Sequence, residues 1–357
     1  MAKVGLIFGG RSVEHRVSVT SARTVASALG DAGHHVIPLG IGPDGCWLDP
    51  SVAAPALAGE LDELPPGGEP VAGTLRVVVG AGTEVLFPIV HGTWGEDGTL
   101  QGLCEMLDLP YVGTGVASSA VAMDKLFCKR LLAAAGVPVV DFEAVAAGEV
   151  EAGPEAVAER LARLPTPLFV KPSNGGSSVG IRKVSDRAEL LDAVRHALRF
   201  DDRVVVEKGI DGRELECAVL GYRRIEASAI GEIVPGKEFY DYADKYVDDG
   251  ARLIAPAELP GGVTERIRRQ AVRAFEAING WGMGRVDFLL EAPDRLYLNE
   301  INTLPGFTAI SMYPRLWELS GVPIAELVDR LVAIAVDRHR DRRRLDRGIK
   351  EWIAELA

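Results

Sequence analysis

Between Gly284 and Thr308 the chain reads GRVDFLLEAPDRLYLNEINTLPGFT, and its oxygen-bearing side chains there fall at spacings that could hold a metal ion. Two apolar runs, Arg285–Leu290 and Leu296–Ile301, flank the turn-forming segment Glu291-Ala292-Pro293-Asp294-Arg295, which is the pattern of a β-hairpin. Folding about Pro293 sets Asp287 across from the level of Asn299 and Glu300. Side chains two apart share a strand face, so Glu300 and Asn302 point the same way. Two carboxylates and an amide then form a hard-oxygen set suited to magnesium bridging phosphates, with coordination positions left open. A solvated hairpin with charged ends would carry the same residues. Two neighbours tip the reading toward a site: Arg285 on the side of Asp287, and Pro305-Gly306, a turn whose backbone N–H can face a ligand.

Other stretches carry complementary chemistry. In Lys171-Pro172-Ser173-Asn174-Gly175-Gly176-Ser177-Ser178-Val179-Gly180, three glycines and three hydroxyls let backbone N–H groups approach an anion, and Lys171 adds a point charge. The loop reads equally as a flexible hairpin connection. Glu207-Lys208-Gly209-Ile210 ends a strand in a form that could offer backbone groups to a planar base, with Glu214 placed for ribose hydroxyls; a plain crossover is the alternative. Lys125 opens a helix and by itself is an ordinary lysine. His91-Gly92-Thr93-Trp94-Gly95-Glu96-Asp97-Gly98-Thr99 follows a buried strand, where small-molecule sites form, although turn and capping chemistry explains Asp97-Gly98 as well. Glu14, in the first strand-to-helix loop, could hold a cationic group or serve the helix dipole. Glu238-Phe239-Tyr240-Asp241-Tyr242-Ala243-Asp244-Lys245-Tyr246 has neither helical nor strand period and is either an active-site lid or a disordered connection; its aromatic residues favour the lid.

The elements that must position these groups follow from periodicity. Residues 1–113 alternate strand and helix: Val4–Phe8, a helix over Thr20–Leu29 closed by Gly30, His35–Ile41, Val85–Val90 and a helix over Thr99–Leu107. That alternation predicts a parallel sheet with its working loops at the carboxyl ends. The Pro/Gly/Ala-rich stretch Asp49–Gly73 reads as a surface insertion. Residues 114–211 form an α+β unit carrying the glycine-rich loop, with Ser185 capping a helix over Arg187–Phe200. Residues 212–357 carry the lid and the metal hairpin, then a helix over Ile324–Val336 and a basic tail, Arg338–Arg347, read as a solvated helix end. Gly40–Gly45 matches G-x-G-x-x-G but opens no helix, so a dinucleotide fingerprint and a dehydrogenase are rejected.

With 357 residues, 47% hydrophobic and 25% charged, the chain has the length for two or three well-cored domains of a globular protein. A net charge of −12 argues against nucleic-acid binding. The short first apolar run is too brief for a signal peptide, and no apolar run is long enough to span a bilayer. Cys46, Cys104, Cys128 and Cys217 lack C-x-x-C spacing and read as reduced thiols of a cytoplasmic protein.

Together these stretches resemble the D-alanine–D-alanine ligase family of the ATP-grasp superfamily. The resemblance spans essentially the whole chain: GG-x-S-x-EH-x-VS at 9–18, HG-x-x-GEDGT-x-QG at 91–102, MDK at 123–125, KPS-x-x-GSSVG at 171–180, EK at 207–208, FYDY-x-x-KY at 239–246, GR-x-D at 284–287 and NE-x-NT-x-PG at 299–306. It implies a three-domain ATP-grasp architecture, α/β and α+β, with an N-terminal parallel-sheet domain. It also implies a reaction in which ATP phosphorylates one D-alanine and the amine of a second attacks the acyl phosphate. By motif position, Lys125 and Lys171 would hold the ATP phosphates, the backbone of Glu207, Lys208 and Ile210 the adenine, and Glu214 the ribose. Asp287, Glu300 and Asn302 would bind two Mg2+ ions, with Mn2+ as a substitute. Glu14, with Ser177 and Tyr246, would hold the first ammonium, Arg285 and the Gly306 N–H the oxyanion, and Lys245 and Ser311 the second carboxylate. His91 falls in the matched substrate site. A homodimer is the family's expectation. D-alanyl–D-lactate ligases lack the tyrosine that Tyr246 supplies here, so the dipeptide product is favoured; the lactate ligase and a non-catalytic ATP-binding module are the alternatives.

Overall fold

The computed structural model describes residues 1–70, 73–235 and 252–356. The lid expected at Glu238–Tyr246, with Lys245 and Tyr246 in it, lies outside them. Twelve strands among the described residues make three sheets. β1 (Lys3–Gly9), β2 (His35–Ile41) and β3 (Val85–Pro88) form a parallel sheet in the order β2-β1-β3, as the strand–helix alternation requires. β4 (Phe142–Ala146), β5 (Leu168–Pro172), β6 (Arg182–Val184) and β7 (Arg203–Lys208) form an antiparallel sheet in the order β4-β7-β5-β6. β8 (Gly212–Gly221), β9 (Ile225–Val234), β10 (Arg252–Ile254), β11 (Gly282–Glu291) and β12 (Arg295–Asn302) form the third, in the order β10-β9-β8-β11-β12.

The parallel sheet does not close its core alone. Val4, Leu6, Phe8 and Phe87 pack in one cluster with Phe307, Tyr313, Leu327 and Leu331, so the Met312–Leu319 and Ile324–Glu355 helices complete the layer over β1. This ties the segment after β12 to the first sheet and hangs the loops of both over one cleft.

Several local expectations change. The first helix runs His15–Asp31, and Gly30 lies inside it; the left-handed residue that ends the turn is Gly33, at φ +82°. The 49–73 stretch is not a surface insertion: Asp49 caps a Pro50–Leu57 helix, and Ala53, Ala56 and Leu64 are buried in the first core. Asp186, not Ser185, caps the next helical segment by accepting from the Ala188 N–H, and that segment is a 3-10 turn at Arg187–Glu189 leading into Leu190–Ala197. The basic tail continues the last helix to Glu355, and its first part is docked rather than solvated. Arg338 stacks 4.5 Å over Trp281 and pairs with Glu105 at 2.8 Å.

Candidate active site

One cavity of about 890 Å3 gathers residues from the two antiparallel sheets and from the loops and first helix that follow β1 and β3. Its floor is the β11–β12 hairpin, in which Asp287 stands opposite Glu300 and Arg285 opposite Asn302. A register shift follows Asp287, so that Phe288 faces Leu298 and Asn299 is the extra residue. Asp287, Glu300 and Asn302 all line the cavity. Among the described residues no three His, Cys, Asp or Glu side chains form a closed metal cage. Two carboxylates and an amide suit a hard cation that keeps positions open for phosphate oxygens.

Arg285 spans this floor. Its Nε and Nη2 donate to the two Asp287 carboxylate oxygens at 2.8 and 2.7 Å, and Nε lies 3.1 Å from Glu216, which β8 sets opposite Asp287. Burial would lower its pKa, but Asp287 and Glu216 outweigh this and hold it well above its usual value. The arginine is therefore a fixed cation with a set orientation. Glu216 escaped the sequence reading because an alternating strand residue carries no motif.

The cavity wall holds two lysines. Lys171 ends β5, and its Nζ lies 2.8 Å from Glu207 on the neighbouring β7. The Glu207 carboxylate is almost fully buried and also meets the buried Lys129 at 3.1 Å. Burial alone would raise its pKa, yet the two ammonium groups bring it down to about 2. Lys125 donates to the Gly175 carbonyl at 2.6 Å. Its pKa is lowered by burial and by the nearby Lys171 and Lys129, against the opposing pull of Glu300 and Glu207. Asp124 anchors both the lysine and the loop. It accepts from the Phe127 N–H, the Ser173 hydroxyl (2.6 Å) and Arg203 (2.8 Å), while the Lys125 N–H donates to the Ser173 carbonyl. Neither Lys129 nor Asp124 was singled out from sequence, although an aspartate just before a helical Lys-Leu-Phe is a capping signal.

The glycine-rich loop closes over this wall. Gly175 and Gly180 have φ of +130° and +74°, and the non-glycine Ser177 and Ser178 sit at +50° and +59°. Consecutive left-handed residues other than glycine are held only where surroundings dictate them. Gly176 and Gly92 both approach the Glu14 carboxylate so closely that an added Cβ would lie 3.4 and 2.6 Å from it. The first loop, the His91 loop and the glycine-rich loop thus meet at Glu14, which lines the cavity with Ser177.

His91 lines the cavity. It is buried, with Nδ1 2.9 Å from the Leu304 carbonyl, Nε2 3.1 Å from the Ser21 hydroxyl and Glu96 at 3.6 Å. Both ring nitrogens are engaged by the protein, so the imidazole locks neighbouring loops together. Burial lowers its pKa, but Glu96 and Glu14 raise it more; burial and the Glu14 charge in turn push the Glu96 carboxyl up. Glu96 lines the cavity and also escaped the sequence reading as a site residue. At the far end, Gly306 and Ser311 face each other. The Ser311 hydroxyl accepts from the Thr308 N–H at 2.9 Å, and a Cβ on Gly306 would lie 2.8 Å from it. Glu214 lines the cavity, whereas Glu207, Lys208 and Ile210 do not. The amides of Lys208 and Gly209 are bonded to Asp141 and Pro167.

Two antiparallel sheets gripping a charged cleft beside a parallel-sheet domain are the ATP-grasp architecture. The models for the D-ala D-ala ligase N-terminus and C-terminus match residues 3–114 and 131–333. The chain is 46% identical over 341 residues to the D-alanine–D-alanine ligase of Solibacter usitatus (strain Ellin6076), covering 95% of this chain and 97% of that one. The ligase of Thermoanaerobacter sp. (strain X514) is 43% identical over 98% of this chain and 99% of its own. Among solved structures, the D-alanine-D-alanine ligase from Coxiella burnetii superposes with a TM-score of 0.83 at 36% identity, covering 99% of both chains. VanG D-Ala:D-Ser ligase from Enterococcus faecalis does so at 0.80 and 31%, over 94% of this chain and 99% of that one. The chain belongs to the D-alanine–D-alanine ligase family. The activity that goes with membership is ATP-dependent formation of the carbon–nitrogen bond of D-alanyl-D-alanine for cell-wall synthesis.

Proposed function

We propose that this cavity activates one D-alanine as an acyl phosphate and joins it to a second, with the residue roles that the motif positions imply. The observation that carries the reading is the convergence of Glu14, two lysines and the Arg285 hairpin on one cavity. Glu14 receives the ammonium of the first D-alanine, directing its carboxylate toward the hairpin. Lys125 and Lys171 hold the phosphates of ATP, the strand end at Glu207–Ile210 the adenine, and Glu214 the ribose. Asp287, Glu300 and Asn302 would hold two Mg2+ ions, or Mn2+, which offset phosphate repulsion toward an incoming carboxylate.

The first carboxylate oxygen takes the γ-phosphoryl group, and ADP leaves. The amine of the second D-alanine, once deprotonated, attacks the acyl carbon, and phosphate departs with the C–O bond. Arg285 and the Gly306 N–H bind the oxygen on which charge develops, where fixed donors are worth about 3–4 kcal/mol each. Ser311 and Lys245 receive the second carboxylate, and Ser177 and Tyr246 support Glu14. His91 acts by fixing its loops, because its own ring nitrogens are spent on Leu304 and Ser21. The enzyme works as a homodimer. A cytoplasmic setting fits the four free thiols Cys46, Cys104, Cys128 and Cys217. No helix among the described residues is long and apolar enough to cross a membrane.

Phosphate release from ATP with D-alanine, D-serine or D-lactate as acceptor, with product identification, tests the reading. D-alanyl-D-alanine should dominate at neutral pH, and Glu300→Ala should reduce release at least 100-fold. Preferred use of D-serine or D-lactate would refute the acceptor assignment; an unchanged Glu300→Ala rate would refute the metal assignment.

A further inference from the structure

The Ile324–Glu355 helix carries one apolar face along its length, and only the first half of that face is covered. Leu327, Leu331 and Ala335 are fully buried, Ile334 packs against the same core, and Arg338 lies on Trp281. Eighteen residues further on, five turns of helix, the same five positions read Leu345, Ile349, Trp352, Ile353 and Leu356. Their exposure lies between 55% and 69%. The body of the molecule ends at Glu105 and Asp108, which take Arg338, Arg342 and Arg343. Every residue from 342 to 356 is exposed, so the helix overhangs by roughly 22 Å. A contiguous apolar stripe that includes a tryptophan marks a contact surface.

We infer that this overhang pairs antiparallel with the same segment of a second copy of the chain. Charge is divided along it. Arg342 and Arg343 pair with Glu105 and Asp108 of the body, which leaves Arg344, Arg347 and Lys350 against Asp346 in its first part, and Glu351 and Glu355 without any base in its last. A parallel pair would set the two basic parts side by side. The antiparallel pair lays each basic part over an acidic one and is self-complementary about a two-fold axis. Leu345 then packs on the partner's Leu356, Ile349 on the partner's Trp352, and Arg344 lies beside the partner's Glu355. A basic helix with a tryptophan also suits an anionic bilayer, but a chain of net charge −12 is repelled by one. Two stripes of about four turns each make a contact at the small end of specific interfaces, so it is reversible and concentration-dependent. The inference rests on the homodimer reading and names its surface.

The full-length protein is tested by sedimentation and by disulfide trapping, with the parent carrying its native cysteines as control. Ile349→Glu and Arg344→Glu should each weaken association at least tenfold while D-alanine ligase activity is kept. The Arg344→Glu, Glu355→Arg double variant should restore association to within about threefold of the parent. Leu345→Cys mixed with Leu356→Cys should give a disulfide-linked pair that neither variant gives alone. A parent that is monomeric at every concentration overturns both the homodimer and the surface. A parent dimer indifferent to Ile349→Glu overturns the surface only. Self-linking of Leu345→Cys shows parallel pairing and overturns the register. Binding to vesicles rich in anionic lipid that Ile349→Glu abolishes, without self-association, replaces the second copy with a membrane.

Discussion

Glu207 offers the sharpest test of how the lysine-bearing wall of the cavity is held. Its carboxylate lies 2.8 Å from Lys171 and 3.1 Å from Lys129, with Lys129 as deeply buried as itself. Glu207→Gln would keep the shape and leave two buried ammonium groups with no carboxylate between them. Breaking a buried pair in this way costs about 3–5 kcal/mol. The electrostatics of the pair point the same way: the two ammonium groups take the Glu207 pKa from an ordinary 4.5 to about 2, which corresponds to about 3 kcal/mol at 1.36 kcal/mol per unit. Because the folded-state value is depressed, this stability is present in full above about pH 4.5. It is lost as the pH falls toward 2. Denaturant unfolding at pH 7 should show Glu207→Gln destabilised by about 3 kcal/mol, with the difference from the parent shrinking below pH 4. Adding Lys129→Met to Glu207→Gln should recover at least half of the loss, since removing both charges is far less costly than stranding one. A single variant within about 0.5 kcal/mol of the parent, or a double variant no better than the single, would refute the account.

Three further substitutions address other parts of the site. Arg285→Lys keeps a charge but cannot hold Asp287 through two parallel bonds; turnover should fall about 100-fold with little change in the KM for ATP, measured by phosphate release. Gly306→Ala places a methyl group 2.8 Å from the Ser311 hydroxyl; the KM for the second D-alanine should rise about tenfold while that for the first stays within a factor of two. Asp124→Asn weakens the bonds to Ser173 and Arg203 that seat the glycine-rich loop. It should raise the KM for ATP about tenfold and leave the thermal midpoint within a few degrees, as scanning calorimetry would show.

The hairpin was legible because two-residue periodicity, a proline-containing turn and three oxygen-bearing side chains act within one stretch of chain. Its register, Asp287 opposite Glu300, follows from those local rules. Glu216, Lys129 and Asp124 were not legible for a common reason. Each works by contact with an element distant in sequence: Glu216 with Arg285 across two strands, Lys129 with Glu207, and Asp124 with Ser173 and Arg203. A lone charged residue in a helix or strand carries no mark of the partner that will bury it.

The same reasoning explains why the partners of His91 were not legible and why the tail came out differently from its sequence form. His91 stands in a loop of functional type, and sequence alone leaves its ring free to meet a substrate. In the folded chain Leu304 and Ser21 reach it from segments over 200 and 70 residues away, and it becomes a fastener. The basic tail reads as solvated because its charges dominate its composition, yet Arg338 is drawn onto Trp281 and Tyr111 by ring faces that a count of charges does not register. Beyond that contact the apolar stripe continues with nothing beneath it in the monomer. The periodicity that buries Leu327 and Leu331 is the same one that leaves Leu345 and Ile349 in solvent, so the difference lies in where the body of the protein stops, not in the helix.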